Sequence, residues 1–175
     1  LTDEEVLATV GEAKPAEAAK KSKSGIVVKG LYDVAVHFSK CCRPVPGDEI
    51  VGFVTRGRGV SIHRTDCINI INLSEMEKAR LIEAEWQAGA ENETLGEYLG
   101  EIKIFCHDRS GLLVDITRIF TERDININGI NSRTSKQGIA TIEVSFNTKG
   151  RSELNSLVEK IRQVDSVIDI ERTTG

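Results

Sequence analysis

Two hydrophobic periods alternate in the second half of the chain, and this alternation restricts its fold more than any other feature. Strand-like runs occupy 98–106, 125–134, 139–146 and 167–171. A helical stripe lies in 111–124, where Leu112, Leu113, Ile116, Ile119 and Phe120 share one face. A second stripe follows the i, i+3, i+4, i+7 rule at Leu154, Leu157, Val158 and Ile161. The order βαββαβ predicts a ferredoxin-like split fold.

The first half of the chain has a different pattern of short β-branched runs separated by Gly and Pro. These runs lie at 26–29, 34–38, 50–54, 60–63 and 81–86. They predict a small β-rich unit over 26–87 with one short helix, so the whole chain is expected to be α+β. Residues 1–25 are rich in Ala, Lys and Ser and are expected to be a linker after the end of an upstream helical region. Residues 88–97 have the polar composition of a second linker.

Composition argues against membrane insertion and export. No apolar run approaches the roughly 20 residues that span a bilayer, and the acidic start lacks the apolar core of a signal peptide. The chain begins at Leu1 and its only methionine is Met76, so we expect a cytoplasmic piece cut from the C-terminal side of something longer. The net charge is −4, but residues 26–73 carry six basic against four acidic side chains. This weak local surplus permits contact with a polyanion.

Five potential metal ligands fall within 31 residues of the first unit: His37, Cys41, Cys42, His63 and Cys67. Zinc prefers four such groups in a tetrahedron and stabilises small domains. The spacing lacks the paired C-x2-C knuckles of a zinc ribbon. Structural zinc, buried free thiols and a redox pair therefore stay open. A catalytic zinc, or Cys41 or Cys42 activated by His63, is disfavoured because no HExxH pattern or clear general base accompanies them.

The residues around these ligands resemble a known family. The run VHFSKCCRPVPGDEIVGFVTRGRGVSIHRTDCINI (36–70) strongly resembles the conserved-cysteine, zinc-finger-like module of RelA/SpoT homologues, which make and hydrolyse (p)ppGpp in the bacterial stringent response. HDRSGLLVDITRIF and INGINSRT resemble the ACT domain that ends those proteins. The resemblance implies that the catalytic domains lie upstream, so this fragment is not expected to be an enzyme. It also implies that the fragment regulates those domains and docks on ribosomal RNA of stalled ribosomes carrying uncharged tRNA.

Two sets of binding residues follow from the resemblance. The expected phosphate contacts are the cations Lys40, Arg43, Arg56, Arg58 and Arg64. ACT domains also bind amino acids near their first strand–helix turn, so a branched-chain amino acid is a possible ligand, read by Asp108, Arg109, Gly111, Leu112, Leu113, Asn126, Asn128 and Asn131. An alternative function is thus an amino-acid-sensing module whose ligand drives dimerisation. A homodimer through 98–172 is expected, and a disulfide-linked dimer through Cys41 or Cys42 is a weaker expectation.

Overall fold

The computed structural model describes residues 25–29, 35–87 and 98–173. They form a first unit up to residue 87 and a second unit from residue 98. The linkers expected at 1–25 and 88–97 lie outside the described residues, apart from Gly25. None of the described helices is long and apolar enough to cross a membrane.

The first unit contains two small sheets and two short helices. Its strands are β1 (Ile26–Val28), β2 (Val36–Phe38), β3 (Ile50–Val54), β4 (Val60–Arg64), β5 (Leu81–Ile82) and β6 (Ala84–Trp86), and its helices are α1 (Ile68–Ile71) and α2 (Glu75–Lys78). One sheet has the order β2-β4-β3-β5, and β1 pairs with β6 in the other. The prediction of a small β-rich unit is confirmed, with two helical turns instead of one.

The run 81–86, predicted as one strand, is divided between the two sheets. Leu81 and Ile82 pair with β3, whereas Ala84, Glu85 and Trp86 pair with β1. The alternation of side chains continues through Glu83, so hydrophobic pattern alone shows no break there. Pairing partners distant in sequence decide where the strand divides.

The second unit is a four-stranded antiparallel sheet with two helices on one face. Its elements are β7 (Tyr98–His107), α3 (Leu112–Glu122), β8 (Ile127–Thr134), β9 (Ile139–Thr148), α4 (Arg151–Arg162) and β10 (Val167–Arg172). The strand order β10-β7-β9-β8 is that of a ferredoxin-like fold. Alternate residues of β7 and β9 are buried under the apolar stripes of α3 and α4. This confirms the predicted βαββαβ arrangement.

A tight turn joins β3 to β4 and depends on a glycine. Gly59 has a φ of +78°, and a Cβ at this position would lie 2.1 Å from the carbonyl oxygen of Ala35. Thr55 donates from its backbone N–H and its hydroxyl to the carbonyl of Gly59, at 2.9 and 2.7 Å. The turn therefore has a defined conformation that projects residues 56–58 into solvent.

Candidate metal centre

Four of the five predicted ligands meet at one end of the first unit. The donor atoms of Cys41, Cys42, His63 and Cys67 all lie within 4.8 Å of one another. His37 is not among them, since it lies on β2 opposite Ser61 with an exposed side chain. The structure thus selects three thiols and one imidazole from the predicted set.

Parallel pairing of two strands brings these residues together. β2 runs parallel to β4, with Val36 opposite Val60 and Phe38 opposite Ile62. The carboxyl ends of parallel strands meet at the same edge of a sheet, so the loop after β2, with its two cysteines, lies beside the end of β4. His63 belongs to that end of β4 and Cys67 to the turn that follows.

The loop that carries the two cysteines is closed by backbone hydrogen bonds. Ser39 N–H donates to the carbonyl of Ile62 at 2.9 Å, which fixes the start of the loop on β4. Arg43 N–H donates to the carbonyl of Ser39 at 3.1 Å, and Arg43 itself has a φ of +47°. This left-handed residue turns the chain away from the centre directly after Cys42.

Four of the six donor separations are close to those of a tetrahedral metal site, and all six are within 4.8 Å. Cys41 Sγ lies 3.4 Å from His63 Nδ1, 3.4 Å from Cys67 Sγ and 4.0 Å from Cys42 Sγ. Cys42 Sγ lies 3.9 Å from His63 Nδ1. In tetrahedral zinc, Zn–S bonds of about 2.3 Å and Zn–N bonds of about 2.0 Å require ligand–ligand edges of about 3.5–3.8 Å. Three thiols and one imidazole could hold a metal ion, and a Cys3His set that supplies all four ligands is typical of structural zinc sites.

Hydrogen bonds support the thiols from outside the cluster. Arg64 donates its backbone N–H to Cys42 Sγ at 3.3 Å. The Ser39 hydroxyl lies 2.8 Å from Cys41 Sγ. Donors in this position stabilise thiolates and fix the orientation of metal ligands.

Burial sets the protonation behaviour of the cluster. It raises the pKa of Cys42 and of Cys67, because a thiolate is disfavoured away from water. Burial acts in the same direction on Cys41, but hydrogen bonds from Ser39 and Asn69 lower the pKa of that thiol overall. Burial also lowers the pKa of His63, with the charge of His37 adding to the effect. A neutral imidazole is the form that binds a metal, and a bound cation removes the penalty on the thiolates.

The five cations predicted to contact phosphate fall into two groups. Lys40, Arg56 and Arg58 are exposed. Arg43 is half-buried, and its Nε lies 3.5 Å from a carboxylate oxygen of Glu101 in the second unit. Arg64 is buried, and it donates to Asp66, the Cys42 carbonyl and the Thr173 carbonyl. The structure thus engages Arg43 and Arg64 in internal contacts and exposes the other three.

The residues predicted to bind an amino acid are spread along the second sheet. The turn with Asp108 and Gly111 follows His107, which pairs with Ile139. Asn128 donates to the side chain of Asn147 at 2.6 Å, eight residues further along β9. At about 3.3 Å per residue this places Asn128 roughly 26 Å along the sheet from the turn, whereas Asn131, which pairs with Glu143, lies roughly 13 Å from it. A single chain does not bring Asn126 and Asn128 to the turn.

Within the turn, the predicted residues have separate structural roles. Arg109 donates to Asp115 at 2.8 Å and to the Asp165 carbonyl at 3.2 Å. Leu112 is buried in the core, whereas Leu113 is exposed. Asn126 donates to Asn128 at 3.4 Å, and the side chain of Asn131 is exposed.

Hydrophobic patterns do not single out Val45, Asp48 or Arg172, which the structure places in contact with residues of the second unit. Asp48 is 8% exposed, and Arg172 donates to both of its carboxylate oxygens at 2.7 and 2.9 Å. Val45 is fully buried within the core of the second unit. The only available signal was the PGD motif, which contains Asp48 and is typical of the family.

Comparison with known proteins gives consistent matches over both units. Residues 26–87 match the family model of the RelA/SpoT RIS domain, and residues 94–172 match that of the ACT domain. The chain is 39% identical over 173 residues to a GTP pyrophosphokinase of Streptomyces coelicolor, covering 99% of this chain and 20% of that protein. It is 38% identical over 156 residues to a GTP pyrophosphokinase of Escherichia coli K12, covering 89% of this chain and 20% of that protein. The chain therefore spans about a fifth of the length of these relatives.

Among solved structures, the second unit is similar to the ACT domain from GTP pyrophosphokinase of Chlorobium tepidum. The identity is 31%, with 44% of this chain and 99% of that chain covered and a TM-score of 0.40.

Proposed function

Because this chain belongs to the RelA/SpoT homologues, with a RIS domain followed by an ACT domain, we propose that it is the regulatory region of a stringent-response GTP pyrophosphokinase. In this proposal it controls catalytic domains elsewhere in the same protein, in the cytoplasm, and docks on ribosomal RNA of stalled ribosomes carrying uncharged tRNA. The first unit is called the RIS domain below and the second the ACT domain.

The observation that carries the docking proposal is the turn between β3 and β4. Arg56 and Arg58 are exposed on it, and neither has an ion-pair or hydrogen-bond partner among residues 25–29, 35–87 and 98–173. The bonds from Thr55 to Gly59 hold the turn in one conformation. Two exposed guanidinium groups on a projecting turn suit the phosphates and splayed bases of RNA. Lys40 adds a third exposed cation in the same domain.

Ribosome co-sedimentation of the protein carrying both Arg56→Glu and Arg58→Glu tests this proposal. We expect weaker association and a salt dependence that is flatter by roughly one phosphate contact per residue changed. The matched control carries Arg133→Glu and Lys136→Glu, which make the same change in charge around the exposed β8–β9 turn of the ACT domain. Equal association of the turn variant and the unaltered protein would reject this patch.

We also propose that Cys41, Cys42, His63 and Cys67 hold a structural zinc ion. The fit of the donor separations and the burial of Cys42 and Cys67 support this proposal. When bound, the ion supplies a cross-link between the loop after β2 and the end of β4. Metal analysis of protein purified without oxygen tests it, and one zinc per folded chain is the expected result. A folded protein with far less zinc would favour the free-thiol interpretation.

The amino-acid-sensing alternative requires a second copy of the chain. Asn126 and Asn128 lie at the end of the sheet opposite the Gly111 turn, so only a neighbouring ACT domain could place Asn128 beside such a turn. β8 is an edge strand, and its outer edge is available for such pairing. Calorimetry with valine and isoleucine, together with the oligomeric state measured with and without ligand, tests this alternative. Absence of heat at millimolar ligand would remove it.

A further inference from the structure

The segment that leaves the metal centre after Cys42 ends inside the ACT domain. Three residues beyond this ligand, Val45 is fully buried and belongs to the same apolar cluster as Ile102 and Phe146. The ACT core is therefore completed by a side chain from the RIS domain. Only Arg43 and Pro44 separate this side chain from a metal ligand.

Asp48 attaches the end of the same segment to the ACT domain by charge. Its carboxylate accepts two hydrogen bonds from Arg172, the last residue of β10, at 2.7 and 2.9 Å. It also accepts one from the backbone N–H of Val45 at 2.8 Å. The Asp48 side chain is 5% exposed and that of Arg172 is 18% exposed, so the pair is largely withdrawn from water. A two-pronged bond of this kind fixes position and direction together.

Two further bonds extend this connection on either side. The backbone N–H of Arg151, at the first turn of α4, donates to the Pro46 carbonyl at 2.7 Å. Arg64 Nη1 donates to the Cys42 carbonyl and to the Thr173 carbonyl, both at 3.2 Å. The second contact joins the backbone of a metal ligand to the end of the ACT domain through one guanidinium group.

Residues 42–48 thus have two sets of contacts, one to the metal cluster and one to the ACT domain. If either set forms alone, it must order all of residues 42–48, and the chain loses the conformational entropy of that segment. Once one set has formed, the segment is already in place for the other. Interactions that share a single ordering cost reinforce each other.

We propose that zinc binding at Cys41, Cys42, His63 and Cys67 and docking of the RIS domain on the ACT domain are thermodynamically linked through residues 42–48. Zinc binding stabilises the docked arrangement, and docking raises the affinity for zinc by the same factor. Loss or oxidation of the thiols would therefore release the ACT domain as well as loosen the RIS domain. This inference rests on the zinc site proposed above.

Arg172→Gln tests the linkage because it removes the two-pronged charged contact to Asp48, leaves only the longer ion pair with Arg151 Nε at 3.9 Å, and keeps all four metal ligands in place. Zinc affinity is measured in the whole chain by competition with a chromophoric chelator. We expect a loss of affinity of about tenfold, the middle of the usual range for coupling between sites. Arg133→Gln, on the exposed part of β8, is the matched control and should change affinity by less than twofold.

Amide hydrogen exchange at Arg151 reports docking independently. The first N–H groups of a helix have no partner within the helix, so this amide is protected only while it donates to Pro46. Chelation of zinc in the unaltered chain should raise its exchange rate at least tenfold, while amides of β9 remain protected. The zinc affinity of Arg172→Lys, which keeps the charge but loses the two-pronged hydrogen bond, should lie between the affinities of Arg172→Gln and the unaltered chain. This conservative variant guards against a folding defect.

The possible outcomes are distinct. Unchanged zinc affinity in Arg172→Gln, with rapid exchange at Arg151, would overturn the linkage and leave the zinc site standing. Continued protection of the Arg151 amide after chelation would also overturn the linkage, because it would show that docking does not depend on zinc. Failure of the unaltered chain to bind zinc would overturn the zinc site and the linkage together.

Discussion

The RIS and ACT domains differ sharply in how much apolar side chain each buries. The described part of the ACT domain is built on a cluster of seventeen buried residues, one of which, Val45, comes from the RIS domain. The corresponding cluster of the RIS domain has five: Ile26, Val28, Val60, Ile62 and Ala84. A domain with so few buried residues gains little from the hydrophobic effect and usually needs a metal, a disulfide or a partner. The RIS domain has two candidate supports, a set of residues that could hold a metal and the contact with the ACT domain.

Removing the metal should have the largest effect on stability, and this effect should be confined to the RIS domain. We expect chelation to remove stabilisation on the order of 10 kcal/mol, the scale typical of small zinc-dependent domains, and to unfold the RIS domain. The ACT domain should keep its fold because its core contains none of the ligands. Backbone NMR with and without chelator measures both domains in one sample.

Alkylation of the thiols provides the control for that experiment. Cys106 lies in the ACT core with its pKa raised by burial, so it should stay unmodified after chelation. Cys41, Cys42 and Cys67 should become reactive. Modification of Cys106 at the same rate would show that both domains unfold together and would break the comparison.

A matched substitution in each core gives the next largest effect. Ile62 and Ile142 are both fully buried. Ile142→Ala should lower the free energy of unfolding of the ACT domain by about 2–5 kcal/mol without unfolding it. Ile62→Ala should lower the free energy of unfolding of the RIS domain by a similar amount. Because the RIS domain has a smaller core, its zinc affinity should fall as well. Thermal unfolding and zinc competition measure the two variants. Equal tolerance in both would mean that the small core is not the weak point.

The two glycines of the β3–β4 turn should differ although both have a positive φ. Gly57→Ala should lower the free energy of unfolding by only about 1 kcal/mol, the strain of the left-handed backbone, because a Cβ there meets nothing within 4 Å. Gly59→Ala should cost at least about 3 kcal/mol, because the same strain is joined by a clash with the Ala35 carbonyl. Chemical unfolding of the RIS domain compares them. Equal losses would show that the turn can move away from Ala35.

Surface ion pairs should have the smallest effect and should not distinguish the domains. Lys29–Glu83 in the RIS domain joins side chains that are 78% and 72% exposed. Arg133–Glu143 in the ACT domain is also exposed on its basic side. Lys29→Met and Arg133→Met should each change the free energy of unfolding by less than about 1 kcal/mol. A larger loss in the RIS domain alone would mean that its surface compensates for its small core.

The sequence predicted most secondary structure because hydrophobic period is a local property. Strand β3 was predicted with its observed bounds, and the stripes at 111–124 and 154–161 correspond to α3 and α4. The break at Glu83 was missed because it depends on pairing with β1 and β3, which are distant in sequence. The second helical turn at 75–78 was also missed. A helix of four residues with no buried side chain has too little periodicity to detect.

The sequence by itself determined the two-domain order, the ferredoxin-like fold of the ACT domain and the chemical types present in the RIS domain. Local periodicity and motif spacing carry this information. Only the tertiary structure decided that His37 lies outside the cluster, that Arg64 is buried and that Val45 belongs to the ACT core. These outcomes depend on the parallel register of β2 on β4 and on the docking of one domain against the other. Both are long-range contacts, and the pattern of neighbouring residues does not encode them locally.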